Sequence, residues 1–482
     1  MHNEFYLPEQ EILSLIHTLK DDPVGALSAL TAHSKKQAAR ERIDCLLTDR
    51  TPIYAILKSP EPKARKNAAR LLGALGSAGD TEALVLALKE ERTRFVVPSL
   101  LLALGAVGSV AAKSAIKAYA IPAAADESEI KHVEEICEAK KKALATFERD
   151  LPLPEQKKLN APSTILAVSP AGFAPILQKE LAALDLPGEI AKDGVLVSTA
   201  DLTRLYRARC LQEAIIPIAK GLPVDPSAIA AAAGQSLKRP YRIELHGYTG
   251  DRAAFIRALS RALGGGDNPS HYLDELRVIC STQNLCNVWR KPCQVPDHRF
   301  DYRKSAISAS IAPSTAACLV RYALAYVSAN GNRIRAFDPF CGSGTLLFEL
   351  EKAVPGSTLL GADISETALS AARTNAQAAK SGARFIKKDI LRFEPKEAFD
   401  LVITNMPFGN RVGSHETNDP LYHGFIHLLP KLLLPSGVAL LYTMEHRLLA
   451  DCLKREPTLK IASELTTEAG GLNPRVTLVK RK

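Results

Sequence analysis

The chain has 482 residues, more than one hydrophobic core usually organises, so two to three domains are expected. Apolar residues make up 46% and charged residues 24%; no uninterrupted apolar run approaches bilayer-spanning length, and Met1-His2-Asn3-Glu4 opens neither a basic nor an apolar signal segment, so neither membrane insertion nor secretion is expected. A net charge of +10 favours an anionic partner without separating RNA from DNA or an acidic membrane face, and nine scattered cysteines without a Cys-x-x-Cys pair argue against a disulfide framework or a zinc site, so no metal and a reduced, cytoplasmic location are expected.

From Glu9 to about Asp150 the pattern is helical, rich in Ala and Leu, with short Gly or Pro breaks. Two segments repeat, Arg65-Lys-Asn-Ala-Ala-Arg-Leu-Leu-Gly-Ala-Leu-Gly76 and Arg94-Phe-Val-Val-Pro-Ser-Leu-Leu-Leu-Ala-Leu-Gly105, at an offset of 29 residues (94 − 65). A fixed period of helix pairs predicts a solenoid, and these segments resemble HEAT-type repeats, with a weaker copy near Lys35–Ala39. A plain helical bundle would give the same local pattern. Residues 1–150 are therefore expected to form a HEAT-like repeat domain whose concave face could dock a protein or an RNA. Ser128–Asp150 reads as its charged closing helix, and residues 151–162, with three prolines, as a linker.

Beyond the linker, Thr164–Val168 reads as a strand, followed by an amphipathic helix through Leu184, a strand at Val195–Ser198, a helix at Leu202–Cys210 and an apolar run at Ala214–Ala219. A strand at Tyr241–His246, a helix at Arg252–Leu263 and a strand at Leu276–Cys280 continue the pattern, while Gln283–Cys293 shows no pattern that can be placed. From Arg290 to Arg335 the chain carries Arg290, Lys291, Arg299, Arg303, Lys304, Arg321, Arg333 and Arg335 against only Asp297 and Asp301. That basic strip makes Arg299, Arg303 and Lys304 candidate RNA contacts.

The most informative stretch is Arg335–Glu349, which runs from a short apolar segment through Asp338 into a turn with Gly342 and Gly344 and out into a helix at Thr345–Ala353. Glycines there let the backbone approach a bound molecule. Three further strand ends follow: Thr358–Ala362 stops at Asp363, Arg384–Lys387 is followed by Asp389, and Leu401–Thr404 by Asn405-Met406-Pro407-Phe408-Gly409. Ligands of open parallel sheets bind beyond the carboxyl ends of the strands, so four such ends predict one shared pocket, with Asp363 placed to accept both ribose hydroxyls of a nucleoside. A nicotinamide cofactor would fit a glycine turn and a ribose acid, but the third glycine of the dinucleotide fingerprint is Leu347 and a pyrophosphate would be repelled by Asp338. A cationic ligand such as S-adenosyl-L-methionine would be attracted instead.

Asp-Pro-Phe-Cys-Gly-Ser-Gly-Thr, Asp363, Asp389 and Asn-Met-Pro-Phe-Gly-Asn-Arg together resemble the class I methyltransferase domain of the THUMP-associated RNA guanine-N2 methyltransferases. The resemblance covers roughly Thr164 to the C-terminus. It implies a ferredoxin-like, degenerate THUMP-like RNA-binding α+β module at 163–300 and a seven-stranded Rossmann-like methyltransferase sheet at 301–482. Within that sheet Asp338 would face the methionine end of S-adenosyl-L-methionine, Asp363 the ribose and Asp389 the adenine, while Phe340, Gly342, Gly344, Thr345, Ile364, Ile390 and Asn405 complete the cofactor set. Phe300–Arg303 and Ser310–Val320 resemble the family segment that joins the module to the catalytic sheet and closes over the cofactor, with Ile307 and Ala312 where relatives usually offer polar or basic side chains.

The implied substrate is the exocyclic N2 of a guanosine, with tRNA the expected RNA. Its lone pair is delocalised into the ring, so the amine must be turned as well as brought near. Asn405 Oδ1 and the Met406 carbonyl can each accept one amine hydrogen, Pro407 holds the loop, and Phe408 offers a face on which an extruded base can stack. Arg411 fits a phosphate contact. Two other outcomes share parts of this pattern: an adenine-N6 DNA methyltransferase, which uses a related amine-orienting loop, and a non-catalytic RNA- or protein-binding scaffold.

Overall fold

The computed structural model describes residues 9–35, 37–124, 126–148, 152–281, 284–307, 310–328, 333–408, 415–468 and 471–482. It divides into two units, Met1–Leu153 and Pro154–Lys482.

The first unit is helical: α1 (Glu9–His17), α2 (Pro23–His33), α3 (Gln37–Leu46), α4 (Thr51–Ile56), α5 (Pro62–Leu75), α6 (Thr81–Glu90), α7 (Val97–Val107), α8 (Val110–Ala118) and α9 (Glu127–Glu148). Helices α2, α5, α7 and α9 stack in that order, each against the next. Close packing at two of these interfaces depends on a missing side chain: a Cβ on Gly73 would lie 2.8 Å from the Ala103 Cα, and one on Gly105 2.8 Å from the Ala143 Cα. Helices α5 and α7 each carry a proline in the first turn, Pro62 and Pro98, and end on a left-handed glycine, Gly76 at φ 67° and Gly108 at φ 74°.

These pairs correct the repeat register. Gly76 corresponds to Gly108 and Gly73 to Gly105, an offset of 32 residues (108 − 76) rather than 29. The 29-residue match had aligned a C-terminal cap glycine with a packing glycine inside a helix. Arg65 lies within α5 and Arg94 in the loop before α7, so their spacing is not that of equivalent positions; each holds an acid of the next segment, Glu91 and Glu129, both at 2.8 Å.

The second unit holds two seven-stranded sheets. The first is built from β1 (Lys158–Val168), β2 (Gly188–Ala191), β3 (Gly194–Asp201), β4 (Glu213–Pro223), β5 (Tyr241–His246), β6 (Asp274–Cys280) and β7 (Leu285–Pro292), in the order β2-β3-β1-β4-β7-β6-β5. All neighbours are antiparallel except β5 and β6. With α10 (Ala174–Ala182) and α11 (Leu202–Leu205), the first four strands make a β-α-β-β-α-β unit. Helices α12 (Pro226–Ala233) and α13 (Arg252–Ala262) supply Ile229, Ala233, Phe255 and Leu259 to a core with Leu245, Leu276, Val278 and Val288 from the sheet.

Two expectations change here. The proposed linker at 151–162 ends early, because Lys158 already pairs with Asp201 and the strand continues to Val168. Pro162 is tolerated because the pairing with β3 is irregular between Lys158 and Ser163, where no ladder hydrogen bond is required of it. Residues 285–292, which showed no placeable pattern, form β7 between β4 and β6. Its alternation is complete, with Cys286, Val288, Arg290 and Pro292 buried, but one of the inward positions is an arginine. Arg290 Nε lies 2.7 Å from fully buried Asp274, so a charge occupies a place where sequence patterning looks for an apolar residue.

The second sheet comprises β8 (Arg335–Asp338), β9 (Thr358–Asp363), β10 (Arg384–Lys387), β11 (Phe399–Asn405), β12 (Leu433–Thr443), β13 (Leu459–Thr466) and β14 (Arg475–Arg481), in the order β10-β9-β8-β11-β12-β14-β13. The first five are parallel and β14 is antiparallel to both neighbours. Helices α14 (Pro313–Leu324), α15 (Thr345–Ala353), α16 (Glu366–Ala379), α17 (His415–Leu432) and α18 (His446–Lys454) accompany these strands. One apolar core runs from Ile165, Leu177 and Val195 of the first sheet region through Leu319 of α14 to Leu347, Leu401 and Leu440 of the second. The order reverses between β8 and β11, where carboxyl ends of parallel strands leave a ligand crevice.

Candidate active site

The site is assembled from consecutive strand ends. Asp338 closes β8, is 1% exposed, and accepts Thr404 Oγ1 at 2.7 Å and the Phe340 amide at 3.2 Å. Burial pushes its carboxyl up to about 7, against the pull of these two donors, with the Asp363 charge adding to the rise. Among the described residues no cation pairs with it. Asp363 closes β9, with one oxygen 3.0 Å from the Gly342 amide and the other 2.9 Å from the Ser365 amide. Asp363 is thus fixed to the glycine loop by a backbone donor.

The loop itself requires its glycines. Gly342 and Gly344 have φ of 52° and 82°, and a Cβ on Gly344 would meet the Phe348 ring at 2.8 Å. Thr345 opens α15 and is 3% exposed. Cys341 lies between the acids, and burial drives its thiol far above the ordinary range, so it is not a nucleophile.

At the next strand end Asp389 caps a short 3-10 turn at Ile390–Arg392 through the Leu391 amide at 3.0 Å. Ile390 turns its side chain into the core, whereas Ile364 is 71% exposed. Ile364, Lys387, Lys388, Asp389 and Arg392 line a hollow of about 300 Å³, in which Ile364 is the apolar side chain. A larger hollow, about 410 Å³, lies on the first sheet away from these strand ends, lined among others by Arg242, Glu244, Glu275 and Arg277, which are ion-paired on the spot.

Asn405, Met406, Pro407 and Phe408 follow β11. The Met406 amide donates to the Tyr442 carbonyl at 3.0 Å, extending the β11–β12 ladder by one residue. Tyr422 Oη donates to the Pro407 carbonyl at 2.8 Å, and Asn418 Nδ2 lies 3.3 Å from the same oxygen. The Phe408 ring is half-buried, 5.8 Å from that of Tyr442. Asn405 Oδ1 is buried and has no hydrogen-bond partner among the described residues. An unsatisfied buried acceptor costs about 1–3 kcal/mol, and this one stands at a strand end beside Asp338. Phe340 sits edge-on to Phe425 of α17, 5.4 Å away. The candidate cofactor and catalytic residues therefore gather at the ends of β8, β9, β10 and β11.

The RNA candidates fare differently. Arg299 is a structural residue: its side chain is 6% exposed, held by Asp297 at 2.7 Å, by the Ala208 and Leu211 carbonyls, and against the Tyr206 and Phe300 rings. It has no free donor face for a phosphate. The basic strip is largely neutralised by acids distant in sequence, with Arg290 on Asp274, Lys291 on Glu213, Arg321 on Glu180 and Arg335 on Glu397. Lys304 is exposed and Arg303 half-buried, while Arg411 and Gly409 lie outside the described residues. Sequence reasoning also passed over Thr404, Asn375, Asn418 and Tyr422, because a buried polar group on a helix or strand reads locally as ordinary core.

A buried carboxylate without a counter-ion among the described residues, a glycine loop, a second acid and a hollow beside Asp389 follow one another along the ends of β8, β9 and β10, an order that a nucleoside with a cationic amino-acid end would fit. Residues 301–473 match the family model described as UPF0020, RMKL-like, methyltransferase domain. The chain is similar to the U6 snRNA (guanine-N(2))-methyltransferase THUMPD2 of Bos taurus, 32% identical over 99 residues, which are 19% of this chain; it spans about a fifth of that protein's length, 20%. It is also similar in structure to TrmN from Thermus thermophilus, with a TM-score of 0.52 at 25% identity over 66% of this chain and 99% of that one. The fold of SMU.472, crystallised with SAH, matches at a TM-score of 0.52 and 14% identity over 67% of this chain and 99% of that one.

Fold and site together define residues 301–473 as a class I methyltransferase domain, of the S-adenosyl-L-methionine-dependent kind. That domain is similar to the one in the guanine-N2 methyltransferase named above, over a fifth of that protein's length.

Proposed function

We propose that the chain methylates the exocyclic N2 of a guanosine in a structured RNA, with tRNA the first substrate to offer and U6 snRNA the second. The observation that carries this reading is the buried Oδ1 of Asn405, without a partner among the described residues and one residue beyond the Thr404 that bonds Asp338. S-adenosyl-L-methionine supplies an electrophilic methyl; the residues of this chain supply orientation. Asn405 Oδ1 and the Met406 carbonyl accept the two amine hydrogens, so that the nitrogen lone pair is aimed across the crevice and the nitrogen is free to rehybridise. Tyr422 and Asn418 grip the Pro407 carbonyl and keep the loop from turning. Phe408 offers its ring to the extruded base. No strong base is required, since the methylated amine is acidic while it carries positive charge.

Asp338 would hold the ammonium end of the cofactor, Asp363 its ribose and Asp389, with Ile364, its adenine. RNA binding is supported by the charge distribution: residues 1–153 carry 21 basic and 21 acidic side chains, so the whole excess of +10 lies in residues 154–482. The first sheet and its helices are proposed as the THUMP-like RNA-docking module, with Lys304, Arg303 and Arg411 as phosphate contacts. The α2-α5-α7-α9 stack is proposed as a HEAT-like platform for a further partner, and the cytoplasm as the working compartment. Labelled methyl transfer to unmodified tRNA, U6 snRNA and duplex DNA, each with wild type and Asn405→Ala, tests the assignment. Transfer to RNA guanosine that Asn405→Ala abolishes supports it, and transfer only to DNA adenine defeats it.

A further inference from the structure

Asn375 lies on α16, away from the reacting groups, and is fully buried. Its three hydrogen bonds leave the helix. Oδ1 accepts the Ser305 amide at 2.8 Å, and Nδ2 donates to the Ser305 carbonyl at 2.8 Å and to the Ser343 carbonyl at 3.1 Å. One side-chain amide therefore reads both backbone groups of a residue in the segment arriving from the first sheet, and at the same time holds the glycine loop.

A second link reinforces the first. Ser310 Oγ lies 2.9 Å from Ser343 Oγ and accepts the Ile307 amide at 3.1 Å. Ile307 is thereby brought over the loop, its Cδ1 standing 3.4 Å from where a Cβ on Gly342 would be. The chain of contacts continues to the ribose acid, because the Gly342 amide next to Ser343 is the donor that fixes Asp363. A buried asparagine kept only for stability could be satisfied by any neighbours. Here all its partners belong to the two segments that border the cofactor crevice.

We propose that Asn375 is a positioning residue for the cofactor, which sets the Ser343 carbonyl and, through Gly342, the Asp363 carboxylate. This rests on the methyltransferase reading above and adds to it a residue that touches neither cofactor nor RNA. Alanine leaves the Ser305 amide and two carbonyls without their partner, and aspartate keeps the acceptor but loses both donated bonds. The effect falls first on cofactor binding, because Ser343 and Gly342 belong to the glycine loop, and less on RNA binding, which Ser305 touches only as the neighbour of Lys304.

Calorimetry of the full chain with S-adenosylhomocysteine tests this, with filter binding of bulk tRNA alongside. Asn375→Ala is expected to weaken S-adenosylhomocysteine about tenfold, equivalent to about 1.4 kcal/mol, with tRNA affinity within about twofold of wild type. Ser305→Pro removes the amide that Oδ1 accepts without altering α16, and is expected to weaken the same ligand several-fold; it carries the test if Asn375→Ala does not fold. Folded variants that bind S-adenosylhomocysteine as wild type does, or that lose tRNA affinity in equal measure, overturn the proposal. A wild-type chain that binds no S-adenosylhomocysteine defeats the methyltransferase reading and this inference with it.

Discussion

Each sheet of the second unit buries an aspartate in a strand, and the two are treated differently. Asp274 of β6 is 0% exposed and fully answered from within: Arg290 Nε at 2.7 Å, the Lys238 amide at 2.6 Å and Gln156 Nε2 at 3.1 Å. Asp338 of β8 is 1% exposed and receives a hydroxyl and one amide but, among the described residues, no cation. A buried charge with its counter-ion in the chain is part of the scaffold. One without is a vacancy in the electrostatics that a cationic ligand can fill. The same residue type at the same burial is thus answered by a counter-ion in one sheet and, among the described residues, left without one in the other.

The largest effect that sharpens this contrast is Asp274→Ala, which leaves Arg290 charged and unpaired in the core of the first sheet. It should lower unfolding stability by about 3–5 kcal/mol in denaturant titration. A loss no greater than that of an exposed aspartate would break the distinction. Next, Asn405→Ala should cut the turnover of RNA methylation by about 10²–10³-fold while S-adenosylhomocysteine binding stays within a few-fold. An equal loss of both would place Asn405 in the scaffold instead.

Asp338→Asn should behave oppositely to Asp274→Ala in the ligand-free chain, raising its stability at pH 8 by about 1–2 kcal/mol. The sign follows from linkage. Burial raises the folded-state value to about 7, so between the ordinary carboxylate value of about 4 and about 7 the native chain holds a proton that the unfolded chain has released. Stability present at low pH is lost as pH rises through that window, and the asparagine variant should lack this part of the slope. Binding of a cationic cofactor should tighten over the same window, because it selects the carboxylate form; an affinity independent of pH would remove Asp338 from the ammonium site. The groups facing Asp338 are Thr404, the Phe340 amide and, at longer range, Asp363, so an Asp363→Asn control separates their charges. The smallest effect is expected at the surface, where Lys304→Ala should reduce tRNA affinity a few-fold and lower its salt slope by about one. Arg299→Ala should instead appear as lost stability.

The parallel sheet was readable because its strands are short apolar runs that stop at a polar residue: Arg384–Lys387 and the helix Thr345–Ala353 have the ends that patterning gives them. The acids and the Asn405 loop were visible for the same reason, since ligands meet such sheets at strand ends. What escaped was long-range pairing. Arg290 hid β7 because its partner lies 16 positions earlier on another strand. Arg299, counted in a basic window, finds its acceptors at Ala208 and Leu211, about 90 residues away. Asn375 and Tyr422 act on backbone carbonyls, which carry no sequence signature. In the helical unit two glycine roles, cap and close contact, looked alike in one dimension and shifted the repeat by three residues.

The central claim is that the crevice presents a guanosine N2 to an activated methyl. Nucleoside mass spectrometry of RNA incubated with the full chain and labelled S-adenosyl-L-methionine tests it most directly. The account predicts labelled N2-methylguanosine that disappears with Asn405→Ala. Label found only on adenosine, on another guanosine atom, or on protein side-chain amides would contradict it.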